Sequence, residues 1–169
     1  YLDMMTSKNI NVDGVEMVKE GKTFFWSGKY HNDLNSRDTL VTELNVLADF
    51  DPKVPEHSSE ADVLLLGNLD PVVQLSVLER MKTQPKLVIL DTMNFWMDIA
   101  WDNLMKVIAK TDVITINDEE ARQLSGEYSL VKAAKKIHTM GPEFVIIKKG
   151  EHGALLFHEE KIFAIPALP

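Results

Sequence analysis

The most regular part of the pattern begins at residue 61, where four short runs of apolar residues follow one another, each bounded by polar or turn residues. Runs of this length that are apolar at nearly every position are typical of strands buried on both faces of a parallel sheet. The predicted strands are ADVLLLGN at 61–68, KLVILD at 86–91, DVITIN at 112–117 and EFVIIKKG at 143–150.

Segments with the spacing of amphipathic helices lie between these runs. They cover residues 71–82, 101–110, 118–126 and 129–141. Strands alternating with helices predict right-handed crossovers and therefore an α/β fold with a parallel sheet. In such a sheet, ligands bind outside the carboxyl ends of the strands, so the residues that end each strand are the first candidates for a site.

The segment before residue 61 predicts a β-hairpin. Its strands would be 21–30 and 39–50, joined by the turn residues of HNDLNSRD, and the first strand places Phe24, Trp26 and Tyr30 on one face. Because a hairpin of two strands is only marginally stable alone, it is expected to cover a site, to pack on a partner, or both.

Composition excludes several classes of partner and of chemistry. The 169 residues carry a formal net charge of −8, which disfavours nucleic acids and anionic membranes, and they include no Cys. The sequence has no apolar stretch long enough to span a membrane and no signal-peptide pattern, so a cytoplasmic protein is the simplest expectation. The five His residues lack metal-ligand spacing, and neither a G-x-S-x-G motif nor a Walker A loop is present.

The stretch TINDEEARQLSG at 115–126 has two interpretations. Asn117 ends a predicted strand and Glu120 follows three residues later, as in a capping box at the start of a helix. The same two side chains would also lie at the positive end of that helix, beside the ligand crevice, where they could order the water shell of Mg²⁺.

Two further stretches combine a structural and a functional interpretation. In DTMNFW at 91–96, Asp91 and Asn94 follow a strand, where such residues commonly satisfy turn backbone groups. In KKGEHG, Gly150 and Gly153 suit a turn that needs positive φ, or one whose backbone amides approach a nucleotide. A second hairpin, with strands at 154–158 and 162–169, is expected to finish the sheet.

Taken in order, these stretches resemble the PfkB, or ribokinase-like, family of carbohydrate and nucleoside kinases. The resemblance implies a Rossmann-like parallel sheet with flanking helices and a β-hairpin lid, with ATP and Mg²⁺ as cofactors. It rests on a hairpin that begins with GKT, on LLLGNLDP after the first sheet strand, on NDEEARQLSG as the N-x-x-E segment, and on VIIKKGEHGALLF as the glycine-turn segment.

On the nucleotide side, the resemblance assigns the magnesium and phosphate shell to Asn117 and Glu120, acting on the metal through water. Gly150 and Gly153 would lie along the nucleotide. Lys148 stands where the family usually has Thr, so the family's hydroxyl contact would be replaced by a cation able to reach a phosphate.

The resemblance also assigns Asp91 and Asn94 to the ATP and phosphate contacts, facing the crevice in which the phosphoryl group moves. Either Asn68 or Asp70 would hold a hydroxyl of a sugar or nucleoside, and the alignment leaves both open. Trp26 would cover the substrate from the lid.

The resemblance also divides the chain into a lid at 11–50 and an α/β core formed by 1–10 and 51–169. The aromatic lid face would be available for a homodimer. The family's catalytic base, the Asp of a G-A-G-D motif, has no counterpart in the 169 residues. The chain is therefore expected to be an internal segment of an ATP- and Mg-dependent kinase, inactive alone. A noncatalytic nucleotide- or sugar-binding protein of the same fold, or an unrelated doubly wound domain, are the alternatives.

Overall fold

The computed structural model describes residues 1–32 and 37–168, without the side chain of Arg37. Residues 33–36 of the predicted turn lie outside the described residues. The chain divides into two units, Tyr1–Pro55 and Glu56–Pro169. The expected boundaries of the lid, with residues 1–10 assigned to the α/β core, remain a prediction.

The first unit contains the predicted hairpin as a separate two-stranded antiparallel sheet. Its strands are β1 at Phe25–Tyr30 and β2 at Arg37–Glu43, and a short helix that the sequence pattern did not predict, α1, covers Leu2–Ser7. The second strand is shorter than the predicted 39–50 because Asn45 adopts a positive φ of 50°. The side-chain Nδ2 of Asn45 donates to the carbonyl oxygen of Thr23 at 2.9 Å, and this hydrogen bond stabilises the turn that ends the strand.

The second unit is built on a six-stranded sheet whose spatial order follows the chain order. The first four strands are parallel and the last two are antiparallel, as the second predicted hairpin requires. This confirms the predicted α/β fold. The strands are β3 at Val63–Leu66, β4 at Leu87–Asp91, β5 at Val113–Asn117, β6 at Phe144–Lys148, β7 at Ala154–His158 and β8 at Lys161–Ile165.

Helices connect the parallel strands. They are α2 at Pro71–Arg80, α3 at Asn94–Ile99, α4 at Trp101–Ile108, α5 at Asp118–Ser125 and α6 at Leu130–His138. The short helix α3 replaces the turn expected at 91–96. A helical backbone here allows the side chains of Trp96 and Met97 to be buried in the core. None of the helices in the described part of the chain is long and apolar enough to cross a membrane.

The expectation that the strands are buried on both faces is wrong at β3. Alternate residues of the inner strands are buried, while Val63 and Leu65 of β3 are 54% and 65% exposed. The reason is topological: strands that follow one another in sequence through right-handed crossovers place their helices on the same face of the sheet. The buried face consists of Leu66, Val88, Leu90, Ile114, Ile116, Val145 and Ile147.

Candidate functional site

Three predicted site residues end neighbouring parallel strands. Asp91 ends β4, Asn117 ends β5 and Lys148 ends β6, and Asn117 is the direct register partner of Lys148. On the other side of β5, Asp91 is opposite Thr115. Because parallel strands direct their carboxyl ends to one edge, the sheet brings a carboxylate, an amide and an ammonium group to the same edge, where α/β sheets bind ligands.

The charges of Asp91 and Lys148 are in contact. Nζ of Lys148 donates to Oδ1 of Asp91 at 3.0 Å, which spans the central strand β5. The side chain of Lys148 is 49% exposed and that of Asp91 is 33% exposed, so solvent reaches the pair. The arrangement holds a cation at the sheet edge and leaves it accessible to an incoming anion.

Asn117 and Glu120 form the predicted capping box at the start of α5. Oδ1 of Asn117 accepts from the backbone N–H of Glu120 at 2.8 Å, and Oε2 of Glu120 accepts from the backbone N–H of Asn117 at 2.7 Å. Glu120 is only 4% exposed. The structural interpretation is therefore confirmed, and it is compatible with the functional one because the box fixes both side chains at the positive end of the helix.

The glycine turn has the predicted backbone conformation. Gly150 and Gly153 have φ values of 54° and 84°, and a short 3₁₀ turn, Gly150–His152, lies between β6 and β7. A Cβ atom at Gly153 would lie 1.9 Å from the carbonyl oxygen of Ile165. Gly153 is therefore required by the close approach of the chain at the end of β8, and a role of either glycine along a nucleotide stays a prediction.

Asn94 begins α3, and its side chain is engaged with a neighbouring helix. Its Nδ2 donates to Oε1 of Gln123 on α5 at 2.7 Å, and Nε2 of Gln123 donates to Oδ1 of Asp98 at 2.8 Å. These two hydrogen bonds connect α3 to α5. The contact explains an Asn at this position without a ligand, so its part in the phosphate crevice stays a prediction.

Asn68 and Asp70, the two candidates for the substrate hydroxyl, both follow β3. Asp70 is the N-cap of α2, and its Oδ1 accepts from the backbone N–H of Val72 at 2.8 Å. Oδ1 of Asn68 accepts from the indole Nε1 of the buried Trp96 at 2.9 Å. Each side chain has one structural partner, so the choice between them stays open.

Gln74 on α2 belongs to none of the motifs predicted from the sequence. This side chain is 2% exposed, and its Nε2 donates to the carbonyl oxygens of Gly67 at 2.7 Å and of Asp91 at 3.3 Å. The sequence does contain an indication of its burial, because Gln74 is the polar residue on a helical stripe otherwise formed by the apolar Pro71, Leu75 and Leu78. Gln74 lies at the same edge of the sheet as Asp91.

Trp26, the predicted lid residue, packs within its own hairpin in the first unit. Its ring lies over Gly28, where a Cβ atom would come within 2.1 Å of the ring atom Cη2. Its Nε1 donates to Oγ1 of Thr39 at 3.3 Å. A contact of Trp26 with substrate stays a prediction.

The residues at the sheet edge fit magnesium held through water and phosphate. No group of three or more His, Cys, Asp or Glu in the described part of the chain could hold a metal directly. Magnesium usually keeps several waters and is bound by one or two carboxylates together with substrate phosphates. Glu120 and Asn117 supply oxygen atoms of the required kind, and Lys148 supplies a cation for phosphate.

Comparison with known proteins identifies a family. The model of the pfkB family of carbohydrate kinases matches residues 1–169. A cytidine kinase of Thermococcus kodakarensis is 28% identical over 167 residues, which covers 96% of this chain and 58% of the relative. The chain thus spans little more than half the length of that relative.

Solved structures share the fold. A nucleoside kinase of Burkholderia thailandensis, in complex with inosine, matches with a TM-score of 0.69 at 19% identity, covering 99% of this chain and 55% of that one. A putative ribokinase II of E. coli, in complex with ATP and Mg²⁺, matches with a TM-score of 0.76 at 14% identity, covering 99% and 57%. At these identities the likeness establishes the architecture alone.

Proposed function

Because the chain belongs to the pfkB family of carbohydrate kinases, we propose that the complete protein uses ATP and Mg²⁺ to phosphorylate a hydroxyl group of a nucleoside. One observation carries the proposal. Asp91, Asn117 and Lys148 end three neighbouring parallel strands, and Glu120 is fixed directly beside them by the capping box. Ligands of α/β sheets bind at this edge and magnesium is bound by carboxylates together with phosphates, so an acid, an amide and a cation together here fit a metal-chelated phosphate.

The nucleotide half of the site is formed by β5, β6 and the turn after β6. Asn117 and Glu120 would order the water shell of Mg²⁺, and Lys148 would contact a phosphate as a point charge. When bound, Mg²⁺ neutralises charge that develops on the phosphates during transfer. The backbone amides near Gly150 and Gly153 would lie along the nucleotide.

The acceptor half of the site would be formed by the residues at the carboxyl ends of β3 and β4. Asn68 or Asp70 would hold a hydroxyl, with Asp91 and Asn94 facing the crevice. A nucleoside is favoured over a free sugar because the cytidine kinase covers 96% of the chain at 28% identity. The base that removes the hydroxyl proton would come from a G-A-G-D motif, and these residues contain none. The 169-residue segment alone is therefore proposed to be inactive.

A second function, noncatalytic binding of a nucleotide or sugar, is supported by one contact. Lys148 is paired with Asp91 at 3.0 Å, so in this arrangement its charge is already compensated. If the pair persists when ligand is bound, Lys148 contributes less to phosphate binding than a free ammonium group would. The two functions therefore differ in whether ligand binding depends on Lys148 and whether phosphate is transferred.

The test is a phosphorylation assay on the complete protein with γ-labelled ATP and a panel of nucleosides and free sugars. Each reaction is run with Mg²⁺ and with EDTA, and product is separated chromatographically. We expect a labelled nucleoside monophosphate that forms only with Mg²⁺. Magnesium-dependent ATP binding in titration calorimetry without transfer to any acceptor would instead support the noncatalytic function, and absence of transfer together with absence of ATP and sugar binding would contradict both.

A further inference from the structure

One buried side chain connects the carboxyl ends of β3 and β4. Gln74 reaches from α2, and its Nε2 donates to the carbonyl oxygen of Gly67, directly after β3, and to that of Asp91, the last residue of β4. One carbonyl group directly follows β3 and the other ends β4, and these two strands are parallel neighbours. The amide of Gln74 therefore ties together the two strand ends from which the acceptor half of the site is built.

The rest of this region is not arranged for stability alone. Oε1 of Gln74 is buried without a hydrogen-bond partner among the described residues, and so is Oγ1 of Thr92, which follows Asp91. Gln74 and Thr92 are each 2% exposed. Burial of a polar oxygen without a partner costs free energy, which offsets part of what the two hydrogen bonds of Nε2 contribute. A buried polar group without a partner calls for an explanation, and a functional role is one of those known.

We propose that Gln74 is a positioning residue for the phosphoryl acceptor. By holding Gly67 and Asp91, it sets the distance between the segment that carries Asn68 and Asp70 and the end of β4. This inference rests on the proposed function. Phosphoryl transfer requires the acceptor hydroxyl to be placed accurately, so a small displacement of the end of β3 affects the acceptor.

Most of the nucleotide half is anchored without Gln74, and only Lys148 is connected to it, through the ion pair with Asp91. Asn117 and Glu120 are held by the capping box, and β5 and β6 are paired along five register positions. Loss of the Gln74 contacts is therefore expected to affect the acceptor more strongly than ATP. That difference separates a positioning role from a general loss of stability, which would not favour one substrate.

The test uses steady-state kinetics of the complete protein with the Gln74→Met variant, which keeps the length of the side chain and removes its amide. We expect kcat/KM for the acceptor to fall by about tenfold or more, with KM for ATP changing by less than about threefold. Gln74→Asn, whose amide is a methylene too short to reach both carbonyl groups, should show the same selectivity with better retention of the fold. Leu75→Ala, which truncates a neighbouring residue packed on the core, is the control for lost stability.

The outcomes separate this inference from the proposed function. If both Gln74 variants melt at lower temperature, as Leu75→Ala does, but keep the kinetic constants of the wild type, Gln74 is only structural and the inference is overturned. Equal losses for the acceptor and for ATP would overturn it as well. A wild-type protein that phosphorylates no acceptor overturns the proposed function itself, and this inference with it.

Discussion

Lys148 and Asp91 form an ion pair across the strand that carries Asn117: Nζ lies 3.0 Å from Oδ1, and the two residues are 57 positions apart in sequence. The sheet creates this contact by placing the ends of β4 and β6 on either side of β5. The pair is partly solvated, so it contributes little to folding, at most about 1 kcal/mol. Its importance lies in where it holds the ammonium group.

Removal of the lysine charge is expected to weaken ATP binding. A hydrogen bond to a charged phosphate contributes about 1.5–3 kcal/mol, so Lys148→Met should raise the Kd for MgATP by about tenfold or more. Asp91→Asn releases the ammonium group from its partner and should tighten binding by about two- to fivefold. Titration calorimetry of both variants and of the double variant measures the coupling. If Asp91→Asn has the same effect with and without Lys148, the ion pair plays no part in binding.

The two roles of the Asn117–Glu120 box can be separated by a charge-neutral substitution. Glu120→Gln keeps an oxygen that can accept from the N–H of Asn117 but removes the negative charge. We expect stability to be nearly retained and magnesium-dependent ATP affinity to fall by about tenfold, since charge governs the metal shell. Binding that is unchanged in this variant, measured with and without Mg²⁺, would show that the box is a cap only.

Loss of the cap itself should appear as lost stability. Asn117→Ala removes an N-cap side chain that accepts at 2.8 Å and is expected to lower the free energy of unfolding by about 1 kcal/mol. The matched control is Ser129→Ala, because Ser129 is the N-cap residue of α6 but makes no side-chain capping bond. Urea denaturation of both variants measures the difference. Equal losses would mean that the capping bond contributes nothing.

The glycines of positive φ differ in what surrounds them, and this predicts different costs. Gly153→Ala would place a Cβ atom 1.9 Å from the carbonyl oxygen of Ile165, so it is expected to cost more than about 3 kcal/mol. Gly126→Ala has a similar φ of 70°, but the nearest atom is Nζ of Lys136 at 3.8 Å, so only conformational strain of about 1–2 kcal/mol is expected. Thermal denaturation compares them. A smaller loss at Gly153 than at Gly126 would contradict the close approach of the strands.

Asn68 should matter for stability as the acceptor for a buried indole. Asn68→Ala leaves Nε1 of Trp96 without its partner at 2.9 Å, and Trp96 is 8% exposed, so a loss of about 1–3 kcal/mol is expected. Asn68→Asp keeps an oxygen acceptor at this position and serves as the control. Denaturation followed by tryptophan fluorescence measures both. If both variants are as stable as the wild type, water satisfies the indole.

Local physics explains which elements were predictable. Apolar runs located the strands, and an Asn followed three residues later by Glu located the start of α5, because both signals depend on neighbouring residues. The helix α3 was missed, since its formation depends on the burial of Trp96 and Met97 against residues distant in sequence. Exposure of Val63 and Leu65 was also missed, because it depends on strand order and on the face that the helices cover.

The sequence by itself determined the α/β order of elements, the capping box and the turn glycines, since each depends on spacing over a few residues. The tertiary structure alone decided that Lys148 contacts Asp91 and that Gln74 joins the ends of β3 and β4. It also showed that Asn94 and Gly153 have structural contacts. These relationships arise where parallel strands bring distant segments to one edge, and a pattern along the chain does not contain those distances.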